Sequence, residues 1–201
     1  MAQLEFFFDC SSPWTYLAFT RIHDIIARTH AAVIWKPILV GGVFNEVNKD
    51  VYERRANPDP RKSNYYRKDL ADWARFTKIK IGSPPVFPVN SVKAMRGALL
   101  ALDDGNLVPY AKAVFEAYWG DLLDISQDDI LARVAESVGY KASEFLPRIA
   151  EPAVKARLKA NTDELIARGG FGSPTMFIDS ADMYFGNDRL PLVEAALVKI
   201  G

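Results

Sequence analysis

Phe6-Phe7-Phe8-Asp9-Cys10-Ser11-Ser12-Pro13-Trp14-Thr15-Tyr16 sets an apolar run against an abrupt polar turn and a proline. Such a run suits a buried strand, and it breaks off at Asp9. Ser11 or Ser12 then supplies an N-cap, and Pro13 stands where a first helical residue has no use for its N–H. The free N–H groups and the positive end of that helix face the space beyond the strand. That space can hold an anion, and a thiolate is one. Taken alone, the motif is no more than a helix cap, so the rest of the chain has to show whether it is also a site.

Working outward, residues 3–8 read as a strand. From Pro13 to about Arg28, Trp14, Leu17, Ala18, Ile22, Ile25 and Ile26 recur at three- and four-residue steps, which predicts a helix with one core face. Residues 33–40 (Val-Ile-Trp-Lys-Pro-Ile-Leu-Val) predict a second strand. A strand, helix and strand of these lengths form a βαβ unit with two parallel strands. Gly41-Gly42 opens a polar stretch through residue 62, predicted to be a long functional loop. A helix is expected from about Ser63 to Phe76, with Tyr66, Leu70, Trp73 and Ala74 on one side. Residues 82–88 carry three prolines and can be neither helix nor central strand. Ser91 is expected to cap a helix that ends near Asp103-Asp104-Gly105. Further helices are predicted at about 107–119, 127–138, 142–150 and 152–168. Ser126 with Asp129 suggests a capping box, and Gly169-Gly170 a helix stop.

The chain then returns to strands. Residues 175–178 and 183–185 flank the turn Asp179-Ser180-Ala181-Asp182 and read as a hairpin. A closing helix, about Arg189 to Lys199, follows with Asp188 as its expected N-cap. The order is βαβ, a block of helices, then ββα. This is the order of an α/β thioredoxin-like fold with a large all-helical insertion. The expected division is a discontinuous thioredoxin-like domain, residues 1–40 and 166–201, with an inserted helical domain at 41–165.

Composition excludes several chemistries. Formal charge is zero, with 25 basic and 25 acidic residues, so a nucleic-acid binder is not expected. No stretch approaches ~20 apolar residues, and there is no leader pattern, so neither membrane association nor export is expected. The single cysteine excludes an internal disulfide and any multi-cysteine metal site, and a reducing cytoplasm is its natural setting. His23 and His30 lie on one predicted helix with no ligand partners at metal spacing, and no GxSxG elbow is present. No metal and no Ser-His-Asp triad are expected. Cys10 reads as a small packed hydrophobe. The cluster at residues 61–68, Arg-Lys-Ser-Asn-Tyr-Tyr-Arg-Lys, reads from its residues as a solvated helix start.

Three motifs in order, Phe8-Asp9-Cys10-Ser11-Ser12-Pro13-Trp14-Thr15-Tyr16-Leu17, Gly172-Ser173-Pro174-Thr175-Met176-Phe177 and Phe185-Gly186-Asn187-Asp188-Arg189, carry a resemblance across essentially the whole chain. The sequence is similar to the 2-hydroxychromene-2-carboxylate isomerases, which resemble kappa-class glutathione transferases and DsbA-like disulfide oxidoreductases. Where the dithiol relatives carry Cys-Pro-x-Cys, this chain has Ser12-Pro13-Trp14-Thr15. Thiol–disulfide exchange needs an attacking and a resolving thiol, and neither is present. The helix start that favours a thiolate remains. The resemblance therefore implies that the sulfur arrives as glutathione.

The resemblance also implies residue roles. Ser12 holds the thiolate, and Ser173, preceding a cis Pro174, pairs with the cysteinyl backbone of glutathione. Phe185, Gly186, Asn187 and Asp188 take the γ-glutamyl end, while Lys62 and Tyr65 reach the glycyl side. Asn48, Lys49 and Lys93 lie toward the substrate, Lys93 as partner of a carboxylate. The implied substrate is a small aromatic carboxylic acid of naphthalene-type catabolism, and the implied assembly a homodimer. A kappa-like transferase or peroxidase acting on small electrophiles shares every one of the glutathione residues. A thiol-binding domain without catalysis would need Ser12 only as a cap.

Overall fold

The computed structural model describes residues 2–200. β1 (Gln3–Phe8), α1 (Pro13–Thr29) and β2 (Ala32–Pro37) form the expected βαβ unit, with β1 and β2 parallel. Near the end of the chain, β3 (Thr175–Ile178) and β4 (Asp182–Phe185) form the hairpin, and β3 runs antiparallel to β1. The sheet order is β2-β1-β3-β4. Asp179 and Ser180, both at positive φ (47° and 65°), lie in the three-residue connection between Ile178 and Asp182, where Ala181 N–H donates to Ile178 O at 3.2 Å.

Strand alternation sorts the β1 side chains. Leu4, Phe6 and Phe8 join the core shared with α1, where Phe8 lies 5.9 Å from Phe19 and Phe6 5.3 Å from Trp35, centroid to centroid. Phe7 faces the other way, into a smaller cluster with Ile38, Val43, Leu165 and Phe177. Glu5 on that second face is nearly buried. Arg168, stacked 3.8 Å over the Phe177 ring, pairs with its carboxylate and satisfies it.

Between β2 and β3 stand eight α-helices: α2 (Val40–Val47), α3 (Asp50–Ala56), α4 (Pro60–Thr77), α5 (Val92–Asp103), α6 (Leu107–Phe115), α7 (Asp128–Ser137), α8 (Ala142–Ile149) and α9 (Pro152–Ala167). Residues 116–120 continue α6 as one π-turn, and a 3₁₀ turn (Asn187–Arg189) leads into α10 (Leu190–Ile200). α9 ends where expected, with Gly169 at φ 83° and Gly170 N–H donating to Leu165 O. The architecture is a thioredoxin-like fold carrying a large helical block. Met95, Leu99, Tyr110 and Phe115 from that block pack in the same cluster as Leu4, Phe6 and Phe8.

The predicted long loop at 41–62 is instead α2, α3 and the first turn of α4. Gly41-Gly42 reads locally as a break, but Gly42 lies where a Cβ would come within 3.3 Å of Thr162 on α9. The small residue lets α2 approach α9, and the burial of Val43 stabilises the helix. β2 correspondingly stops at Pro37, because Val40 has turned into α2. α4 begins before the expected start at about Ser63: Asp59 caps it, accepting from Arg61 N–H at 2.8 Å, with Pro60 following.

Three further caps differ from expectation. Ser91 makes no cap bond; Asn90 Oδ1 accepts from Val92 N–H at 3.1 Å and frees the Ser91 hydroxyl for another partner. Ser126 does not form a capping box, since its hydroxyl donates to Asp124 at 2.7 Å and Gln127 precedes α7. Asp188 is not the N-cap of α10 but lies inside the 3₁₀ turn.

Candidate active site

The first helical turn after β1 is built as expected. Ser12 caps α1 with extended backbone (φ −102°, ψ 123°), and its Oγ accepts from Thr15 N–H at 3.2 Å. The Ser12 hydroxyl donates to Ser173 O at 3.1 Å, across the gap to the Ser173–Pro174 loop. The peptide bond before Pro174 is cis, as is that before Pro88. Ser173 is fixed from behind: its Oγ accepts from Asp9 N–H at 2.9 Å and lies 2.7 Å from Thr15 Oγ1. Two buried contacts thus fix Ser173, whose carbonyl meets the half-buried Ser12 hydroxyl.

The site continues along the sheet. Gly186 N–H donates to Pro174 O at 3.1 Å, joining the end of β4 to the proline loop. Gly186 sits at φ 101°, which favours glycine, and a Cβ there would come within 2.8 Å of Asp188 Oδ1. Phe185 packs on Phe171, ring centroids 4.5 Å apart, and closes over Gly172. Asn187 is buried, and Arg21 from α1 donates to its carbonyl at 3.2 Å and to its side-chain oxygen at 3.4 Å. Its side chain shapes the turn. Asp188 stays open to solvent, and among the described residues its side chain pairs only with the neighbouring Arg189 at 2.8 Å.

The remaining candidates are placed differently. Asn48 donates to Phe171 O at 3.1 Å, which brings it beside the proline loop. Lys49, next to it, is exposed, and so are Lys62 and Tyr65 on α4. It is Tyr66 that meets α1: Trp14 Nε1 donates to its hydroxyl at 3.0 Å. One residue is about 100° of helix, so Tyr66, on the face expected to carry Leu70, Trp73 and Ala74, and not Tyr65, turns toward α1. Lys93 is paired with Asp128 at 2.6 Å on the helical block, and no contact joins it to Ser12 or Ser173.

Asp9, passed over as a site residue in the sequence, is the hub of this corner. It is fully buried. One carboxylate oxygen accepts from Ser11 N–H at 2.9 Å, the other from Val40 N–H at 2.8 Å and Ser91 Oγ at 3.0 Å. It therefore ties the starts of α1, α2 and α5 together, standing in for the cap that Leu39 cannot provide. A lone acid at the end of an apolar run was the available signal. Burial pushes its carboxyl above the ordinary 3.8, against the pull of the hydrogen bonds from Ser11, Val40 and Ser91.

The folded state then binds more protons at Asp9 than the unfolded chain does. Its contribution to stability is complete below pH 3.8 and is lost as pH rises through the higher folded value. Asp9→Asn is expected to abolish that loss. Urea unfolding of both proteins from about pH 4 to pH 8 should show the variant gaining on the parent with rising pH; a constant difference would remove Asp9 as the cause.

Cys10 is fully buried. Burial drives its thiol well above the ordinary range, with the Asp9 charge adding to the effect, so it is no source of thiolate. Its backbone is pinned by Met95 Sδ and by Trp119 Nε1, which donates to Cys10 O at 3.0 Å. His23 packs edge-on to Phe19 and its pKa is lowered by burial, with Asp24 opposing. Among the described residues no cluster of His, Cys, Asp or Glu could hold a metal ion.

The chain is similar to known proteins. A DSBA-like thioredoxin domain model matches residues 3–198. A 2-hydroxychromene-2-carboxylate isomerase of Pseudomonas sp. (strain C18) is 30% identical, covering 96% of this chain and 89% of its own. Human glutathione S-transferase kappa 1 is 28% identical, covering 94% and 88%. The solved structure of a 2-hydroxychromene-2-carboxylate isomerase superposes with a TM-score of 0.82 at 27% identity, covering 98% of this chain and 95% of that one. With the β1–α1 turn, the cis proline loop and the helical block in place, this chain belongs to the DSBA-like thioredoxin-domain family, and its relatives there are isomerases and kappa-class transferases.

Proposed function

We propose that this chain is a glutathione-dependent isomerase that interconverts 2-hydroxychromene-2-carboxylate and trans-o-hydroxybenzylidenepyruvate in aromatic catabolism. The observation that carries this reading is the Ser12 hydroxyl bonded to the Ser173 carbonyl at the start of α1. A cysteinyl unit offers the complements of both, an anionic sulfur for the hydroxyl and an N–H for the carbonyl. The residues present fit it, because the alternative thiolate, Cys10, is buried away from the site.

Bound glutathione would supply a nucleophilic sulfur for reversible conjugate addition to the ring-opened keto acid, the electron pair being held on the ketone oxygen while the former double bond rotates and returned when the sulfur leaves. Ser12 donates to that sulfur, and the positive end of α1 adds to its stabilisation. Thr15 and Asp9 hold Ser173 so that its carbonyl keeps its direction. The turn at 186–188 accepts the γ-glutamyl end, with Asp188 toward the ammonium. Lys62 and Tyr65 belong to the glycyl side, while Asn48 and Lys49 lie toward the substrate. The same reading makes the protein a cytoplasmic homodimer.

The likeness to human glutathione S-transferase kappa 1 favours a second reading, conjugation of small electrophiles by the same thiolate. One assay separates them. The purified protein is mixed with a hydroxychromene carboxylate, with and without glutathione, and isomerisation is followed by absorbance. Turnover is expected only with glutathione, which is not consumed. Glutathione consumption without isomerisation would give the function to the transferase, and isomerisation without glutathione would sink both readings.

A further inference from the structure

The acid-binding partner implied by resemblance, Lys93, stands in an exposed surface pair with Asp128 on the helical block. A different cation is held by aromatic rings whose further contacts lead to the Ser12 turn. Arg55, on α3, places its guanidinium 5.6 Å from the ring centroid of Phe44 and 5.2 Å from that of Phe87. Phe44 comes from α2 and Phe87 from the loop before α5, so rings from two separate elements hold one cation. Phe87 lies 6.1 Å from Trp119, whose indole donates to Cys10 O two residues before Ser12. Tyr66 is bonded to Trp14, two residues after Ser12. Burial pushes the Tyr66 phenol up, and the Trp14 hydrogen bond and the Arg55 charge pull against it. Arg55 thus neighbours a tyrosine that is bonded to the first turn of α1.

Among the described residues no carboxylate forms a salt bridge with Arg55. Its neighbours are occupied: Arg54 donates to Asn48, and Lys68 and Arg75 share Asp72. A guanidinium resting on aromatic rings has its faces covered, while its in-plane N–H groups remain directed outward. Those edges match a carboxylate in bidentate fashion, and the ordering of the long side chain has already been met by the rings. A flat aromatic acid offers the rest of the match, since its ring can lie against Phe87, which is 49% exposed.

We propose that Arg55, held on Phe44 and Phe87, is the residue that takes the carboxylate of the acceptor acid and selects acids over neutral aromatics. This deepens the reading under Proposed function and rests on it for the identity of the acid. The glycyl carboxylate of glutathione has the same chemistry, so the test must separate the two.

Calorimetric titration with 1-naphthoate, with 1-naphthylmethanol as its uncharged counterpart, reads the anchor without any turnover. Glutathione is titrated separately. Arg55→Gln is expected to weaken 1-naphthoate about ten- to a hundredfold, the size of a charged hydrogen-bond pair. Binding of 1-naphthylmethanol and of glutathione should change by less than about threefold, within ordinary variation of such measurements. Arg55→Lys should recover part of the loss, since it keeps the charge but not the fork. Arg55 is exposed on its helix, so all three proteins should fold, with circular dichroism as the check. Unchanged 1-naphthoate binding in Arg55→Gln, or no 1-naphthoate binding by the parent, overturns the proposal. So does equal weakening of the alcohol, which would make Arg55 a packing residue, or a loss confined to glutathione, which would make it the glycyl anchor. Failure of the parent to bind glutathione while Arg55 still selects 1-naphthoate would count against the glutathione reading alone.

Discussion

Ser12→Ala is expected to lower turnover by about two to three orders of magnitude, the usual loss when one donor to a developing or reacting anion is removed. Saturating glutathione should not restore it. The hydroxyl now donates to Ser173 O and accepts from Thr15 N–H, so its removal costs one helix cap and one cross-link. A cap is worth ~1 kcal/mol, small beside the 5–15 kcal/mol of an ordinary domain. The variant should fold. The more telling measurement is the thiol itself. A hydrogen bond to a charged group is worth roughly 1.5–3 kcal/mol, and one pH unit corresponds to about 1.4 kcal/mol. The pKa of bound glutathione, followed by ultraviolet absorbance of the thiolate, should rise by about one to two units in the variant. The acid limb of the pH–rate profile should move up with it, so part of the lost rate returns at alkaline pH. A folded variant with an unmoved profile would leave Ser12 as a helix cap.

The second large effect is expected at Asp188, and it should be of a different kind. This carboxylate is half exposed and, among the described residues, tied only to the adjacent Arg189, a surface pair worth little and easily exchanged. It lies over Gly186, which joins the proline loop through Pro174 O. An ammonium group bound there would lose its counter-charge in Asp188→Ala, at roughly 1.5–3 kcal/mol, or one to two decades in glutathione affinity. Because the loss falls on binding, high glutathione should return the rate almost to that of the parent. Asp188 is not the N-cap of α10, so stability should change little. Removing it does take a favourable charge from the half-buried Arg21, whose pKa is lowered by burial with Asp188 opposing. A glutathione titration of activity in both variants distinguishes the two roles: Ser12→Ala should lower the plateau, Asp188→Ala should shift the midpoint. An unshifted midpoint in Asp188→Ala would remove the residue from the glutathione site.

These expectations start from features that a linear reading can see. The apolar run ending at Asp9, the capping Ser12 and the following Pro13 are local, because a cap and its helix lie within four residues of each other. The same holds for the hairpin at 175–185 and the stop at Gly169-Gly170, where backbone geometry restricts which residues fit. The order of strands and helices followed from hydrophobic periodicity, and with it the thioredoxin-like frame. Even Cys10 could be assigned to packing, since a single sulfur at the end of a strand has little else to do.

What sequence alone determined is this frame and the residues at its sharp turns, because those are set by interactions between near neighbours. What only the tertiary structure decided is where long-range partners lie. α2 and α3 were read as loop, because Gly41-Gly42 looks like a break until Thr162 and Leu165 are brought against the helix. Asp9 was read as the end of a strand, because its three donors come from residues 11, 40 and 91. The partner of Tyr66 is Trp14, 52 residues away, and Lys93 pairs with Asp128, 35 residues away. Arg55 shows the same limit most clearly. In the sequence it is one charge among many, and its place depends on two rings, 11 and 32 residues distant, that only folding brings beside it.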